Sequence, residues 1–171
     1  MSFFRVLMAG VLLILVVSLQ NAGLEWVSVA GVVPNLMLLV TVATALSQGL
    51  EVAAPVGFVS GLLLDLAPPA DHPLGAWALA LILAAVLAAR VRDEVANSPL
   101  LAMATVAACS FVASSAFALI ITISGSHTYR ADQLMSVIGI GLLWDVALAP
   151  WVLPVLIRGI NRLHSPEPIR S

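Results

Sequence analysis

Two carboxylates stand inside apolar sequence. Asp65 closes "GFVSGLLLD", residues 57–65, and Asp145 closes "GIGLLWD", residues 139–145. Acids in such surroundings serve as paired catalytic groups, as transport groups, or as hydrogen-bond acceptors that hold helices together. Intramembrane aspartyl proteases resemble one another in a GxGD motif, and the glycines before Asp145 are too far from the acid to match it. The spacing points to packing instead. Ala53, Gly57, Gly61 and Asp65 are four apart and share one slowly drifting helix face. The first three are small, so another helix can approach closely along that face. Gly141, Asp145 and Ala149 repeat the spacing. A charged side chain facing lipid at mid-bilayer costs about 2.5–3.5 kcal/mol on insertion scales. Asp65 is therefore expected to face protein, accepting from hydroxyls, from backbone groups, or from helix N-terminal N–H groups near Pro34 or Leu74. The competing reading is a helix-end residue whose carboxylate reaches interfacial water. If Asp65 is an acceptor, Asn in its place should retain much of the function, because one acceptor oxygen and the shape survive.

No catalytic residue is assigned, and neither a cofactor nor a metal is expected. Asp71 and His72 are neighbours in a loop without an HExxH motif or companion ligands, and His127 and His164 fall on opposite sides of the expected topology. No GxSxG supports serine chemistry. Ser110, Ser114 and Ser115 read as interhelical hydrogen-bonding groups. The single cysteine, Cys109, reads as a small packing residue. All seven basic residues are Arg, and they form no cluster of the kind nucleic acid requires.

The elements that must position these groups follow from composition. The 171 residues are 61% hydrophobic and 9% charged, with mean hydropathy +1.10. A soluble domain is roughly a quarter charged, and one of this size has too much surface to hide so many apolar side chains. The sequence predicts an all-α polytopic membrane protein: one transmembrane domain over residues 1–171, a bundle of six helices at about 3–19, 27–46, 52–66, 74–89, 99–123 and 134–157, and a short tail at 158–171. The third and fourth spans are short for a bilayer and must recruit flanking residues or sit where the protein is thin. The first run, with Arg5 before it, is expected to be retained as a span rather than cleaved as a signal peptide.

Arginine sets the expected topology. With both termini in the cytoplasm, Arg5, Arg90, Arg92, Arg158, Arg162 and Arg170 lie inside and Arg130 alone outside. Trp26 and Trp77 then fall at the outer interface, and Glu25, Asp71, His72, His127, Tyr129 and Asp132 in the outer loops. In "VVPNLMLLV", Pro34 suits a first helical turn and Asn35 can satisfy local backbone groups. The likeness of "GLLLDLA" to "GLLWDVA" raises an inverted three-plus-three repeat, resting on seven residues of an apolar alphabet.

"PNLMLLV", a short charged turn and then "GFVSGLLLDLAPPADHPLG" resemble the bacterial rod shape-determining protein MreD family, whose members show P-N at the start of the second span and G-F-x-x-G-x-x-x-D-L before a small-residue turn and L-G. Pro34, Asn35, Gly57, Phe58, Gly61, Asp65, Leu74 and Gly75 match that pattern. The outer turn "APPADHP" departs from it, being longer and richer in proline. The resemblance implies a non-enzymatic component of the inner (cell) membrane in the cell-elongation machinery, controlling rod shape during peptidoglycan synthesis. It implies MreC as partner, with RodA and its penicillin-binding transpeptidase alongside, membrane lipids around it, and no nucleic acid. Pro34, Asn35, Gly57, Gly61, Asp65 and Gly75, together with Asp145 from its own spacing, are the expected helix-packing or partner-binding residues. MreD-like proteins are also similar to the substrate-binding S components of energy-coupling-factor vitamin transporters, which gives the alternative. Such a component needs a polar-lined cavity at the outer face and an A-x-x-x-A surface on its first helix, and here Ala9 is followed by Leu13.

Overall fold

The computed structural model describes residues 3–20, 28–29, 31–68, 73–95, 98–125 and 131–164. Side chains 3–6, 131–133 and 164 also lie outside the description. Among the described residues the chain is all helical: α1 (Phe3–Ser18), α2 (Leu36–Gln48), α3 (Leu50–Leu66), α4 (Ala76–Arg90), a single turn α5 (Arg92–Val95), α6 (Pro99–Ile123) and α7 (Ala131–His164). The nearest approach to a strand there is an isolated bridge between Val29 and Val32.

Among the described residues two helices, Pro99–Ile123 and Leu134–Leu163 within α7, are long and apolar enough to cross a membrane. At 1.5 Å per residue α6 spans ~37 Å, whereas α2, α3 and α4 reach only ~20–25 Å. Helix boundaries differ from the sequence expectation in every run but the fifth, and three of the differences have a local reason. Among the described residues of the run at 27–46 the helix begins at Leu36, because Pro34 and Asn35 make a helix start rather than a kink. The run at 52–66 begins two residues earlier, directly after Gly49. The last helix continues past residue 157 to His164, so the first part of the expected tail is helical.

Local chemistry accounts for the punctuation. Asn35 caps α2, its side chain accepting from the Leu38 N–H at 3.0 Å. Ser98 caps α6 in the same way, accepting from Leu101, with Pro99 in the first turn. Gly49 both ends α2 and begins α3 at φ 80°, a left-handed conformation that a side chain disfavours.

Helix α2 is the centre of the molecule. Met37 through Ala45 are all buried, nine in succession, so the helix has no outward face. Helices α3, α4 and α7 pack around it, and α6 closes against α4 and α7. Helix α1 lies at the edge, burying Leu13 and Val17 while Leu7, Val11 and Leu15 stay exposed. The α4 face toward the core is nearly all alanine, including Ala80, Ala84, Ala85 and Ala88, which permits close helix approach. Cys109 of α6 packs there with its Sγ 3.5 Å from the Ala84 carbonyl oxygen, in the packing role expected of it.

Candidate functional site: two aspartates on two helix N-termini

The two buried carboxylates lie where α4 and α2 begin. A helix leaves its first four N–H groups without intrahelical partners, and inside an apolar bundle no water is at hand to satisfy them. Helix α4 starts at Gly75, which lies at φ 96° and has no side chain to cap with. Asp65, ten residues earlier on α3, supplies the acceptor. Its Oδ2 accepts from Gly75 N at 2.8 Å and Ala78 N at 3.4 Å, and its Oδ1 accepts from Trp77 N at 3.0 Å. The remaining donor, Ala76 N, is taken by the Pro73 carbonyl at 3.3 Å. All four orphan donors are thereby accounted for.

The small-residue stripe brings Asp65 this close. Ala53, Gly57, Gly61 and Asp65 are all buried, as the spacing predicts. A methyl group on Gly61 would overlap the backbone nitrogen and Cα of Ala78. At Gly57 it would stand 3.0 Å from Thr41 Cγ2 and 3.1 Å from the Leu81 carbonyl oxygen. The face is thus occupied by the protein's own α4 and α2. Asp65 faces protein, and among the partners proposed from sequence it uses the N–H groups of the helix after Leu74.

Asp145 does the corresponding work for α2. It is 2% exposed, and its Oδ1 accepts from Asn35 N at 2.8 Å, across 110 residues of sequence. Its Oδ2 accepts from Ser110 Oγ at 2.6 Å. Asn35 meanwhile caps Leu38, and Gln20 Oε1 accepts from Met37 N at 3.3 Å. Three helices, α7, α6 and the end of α1, therefore converge on the α2 N-terminus, with Pro34 buried beside it. An acceptor carboxylate at the positive end of a helix dipole is favourable without a counter-cation.

The structure joins Asp65 with Gly61 and Gly75 in one cluster, and Asp145 with Asn35 in another. Each carboxylate serves a different helix. The Asn35–Asp145 link was not foreseen, although both residues were singled out, and nothing local couples two positions so far apart. Gln20 was missed; its only signal is being the first amide after a long apolar run. Ser110 fulfils the interhelical role read from sequence, whereas Ser60 Oγ and Trp144 Nε1 are buried with no hydrogen-bond partner among the described residues. Trp77, expected as an interfacial anchor, stacks on Phe117 of α6 with ring centroids 4.4 Å apart. Glu25, Trp26, Asp71, His72, His127, Tyr129, Arg130 and Arg170 lie outside the described residues, as do the side chains of Arg5, Asp132 and His164. No group of three or more metal-ligating side chains occurs among the described residues.

The chain matches no known protein-family model, no curated protein and no solved structure.

Proposed function

We propose that the chain is a six-span protein of the bacterial inner membrane, both termini cytoplasmic, and a non-enzymatic scaffold of the cell-elongation machinery resembling MreD. One observation carries the reading. Five of the eight residues that make up the resemblance hold the short helices in place: Asn35 caps α2, Gly57 and Gly61 admit α4, and Asp65 with Gly75 fixes where α4 starts, while Phe58 and Leu74 are exposed. A motif spent on positioning helices suits a protein whose product is a shaped membrane surface. The membrane placement draws support from the outward apolar residues. Leu15, Leu79, Leu119, Leu143, Trp151 and Val155 are each more than half exposed and lie on four different helices. So large an apolar surface is uncommon on a soluble monomer.

In this reading α1, α2, α3 and α4 cross as short spans beside the longer α6 and α7. Partner contacts fall on outward faces such as that of α1, since the small-residue stripe is already filled. The S-component alternative calls for a polar cavity at the outer face; the cleft described below opens instead at the arginine-bearing end.

The test is affinity purification of the full chain in mild detergent with identification of what accompanies it. Recovery of MreC, RodA or a penicillin-binding transpeptidase is expected. Recovery of an ATPase-driven coupling subunit in their place would replace the scaffold by the transporter.

A further inference from the structure

At the end of the bundle where α2 finishes and α6 begins, a cleft of about 850 Å³ opens between α6 and the second half of α7. Its floor is apolar and built from Leu46, Ala102, Met103, Ala149 and Leu153. Its rim carries Arg92, Arg158 and a single acid, Asp93. Arg92 is held in place: its Nη2 donates to the Ser47 carbonyl at 3.1 Å, and its guanidinium lies over Gly49. That bond leaves other guanidinium N–H groups for a ligand. Arg158 is exposed and has no hydrogen bond or ion pair to any described residue. Pro150 and Pro154 also line the cleft, and neither ring can donate to the preceding turn of α7.

We infer that this cleft binds one anionic phospholipid, its headgroup phosphate between Arg92 and Arg158 and its acyl chain on the Ala102–Ala149–Leu153 floor. Charge decides against a zwitterionic lipid, because two guanidinium groups at the rim exceed the single carboxylate. Size favours a lipid over a partner's spanning helix, which the cleft could not enclose. A helix about 10 Å across and about 30 Å long fills on the order of 2,400 Å³, nearly three times the cleft. A cleft of this volume lies within the usual range for a small amphiphilic ligand. Basic pockets between helices at a membrane boundary are a common way of holding acidic headgroups. The inference rests on the membrane placement proposed above, not on the role in cell elongation.

The test uses the full chain purified in mild detergent, after its recovery in the membrane fraction has checked the placement separately. Dimyristoyl phosphatidylglycerol, dimyristoyl phosphatidylcholine and inorganic phosphate are titrated in turn, and bound lipid is counted by native mass spectrometry. Phosphatidylglycerol should bind at least about fivefold tighter than phosphatidylcholine. Inorganic phosphate, which lacks the chain, should not compete. Arg158→Gln should abolish the preference and Arg162→Gln, outside the cleft, should leave it intact. Ala102→Phe, which fills the floor and keeps both arginines, should weaken both lipids and carries the test if Arg158→Gln does not accumulate. Equal binding of the two lipids by the unmodified protein would overturn the inference, as would equal loss in Arg158→Gln and Arg162→Gln. A photoreactive residue at position 103 that captures a protein in native membranes, and no lipid, would overturn it too.

Discussion

Replacing Asp65 by Asn separates a carboxylate that is needed as an acceptor on both oxygens from one needed only as an acceptor. Sequence alone favours tolerance, since Asn keeps one oxygen. The geometry reverses that expectation. Both Asp65 oxygens accept backbone N–H groups, two on Oδ2 and one on Oδ1. Asn is best placed with its oxygen on the Gly75 and Ala78 side, leaving its NH₂ against the Trp77 N–H. One buried donor is then unpaired, at about 1–3 kcal/mol, and the favourable charge on the α4 N-terminus, worth about 0.3–2 kcal/mol, is lost. Leu would unpair all three donors and should cost more than Asn. For a chain of this length about 1 kcal/mol moves a melting midpoint by about 2–4 °C. Asp65→Asn should therefore melt several degrees below the unmodified protein in detergent, and Asp65→Leu lower still or not accumulate. Hydrogen exchange at the amides of Gly75, Trp77 and Ala78 should accelerate in Asn ahead of any change in α6. If Asp65→Asn melts with the unmodified protein and those amides stay protected, the carboxylate is not what caps α4.

Asp145→Asn should be tolerated far better, because its second partner is a hydroxyl: Oδ1 keeps the Asn35 N–H while Ser110 Oγ turns to accept from the new amide, and a melting loss as large as that of Asp65→Asn would refute this. The two look-alike strings should also part at their glycines. Gly61→Ala forces the α4 backbone away and should cost about 1–3 kcal/mol, whereas Gly141→Ala meets only Val32 Cγ1 at 3.8 Å and should be neutral or gain up to about 1 kcal/mol; equal melting points would count against the stripe. Cysteines at exposed Ser124 and Glu94 should label from opposite sides of intact cells, Ser124 from outside; external labelling of Glu94 would overturn the arginine-based topology.

Where the sequence was informative, it was so because the signal is local. Fourfold spacing put Ala53, Gly57, Gly61 and Asp65 on one face, and that face is buried. Ser98 and Pro99 mark the start of α6 within one residue of the expected span. The depth of α2 was not legible. Its residues are apolar all round, a pattern that fits a lipid-facing span and a wholly enclosed helix equally. Only the packing of α3, α4 and α7 around it decides between them. The end of α7 was misjudged for a related reason. Arg158 and Arg162 suggested the membrane boundary, and a helix need not stop where its surroundings become aqueous.

Asp145 stands in the middle of a long apolar helix because α2 begins in the middle of the bundle. Asp145 is fourteen residues into α7, and at 1.5 Å per residue that places it ~21 Å from the start of α7. Asn35 meets it there, so the first turn of α2 is enclosed by α6 and α7 rather than by solvent. The N–H groups of a helix start enclosed in this way have no water at hand and need protein acceptors. Asp145, Gln20 and Asn35 take three of them. Asp65 solves the same problem for α4 and might be taken for its symmetry mate, as the two strings suggest. A three-plus-three repeat, however, would pair α1 with α4 and α3 with α7. With Asp65 of α3 on α4, its equivalent in α7 should cap α1. Asp145 of α7 caps α2 instead, and Gly141 makes none of the close contact that Gly61 makes. The shared string therefore reflects a shared chemical need, an acceptor for a buried helix start, met twice at unrelated places in the fold.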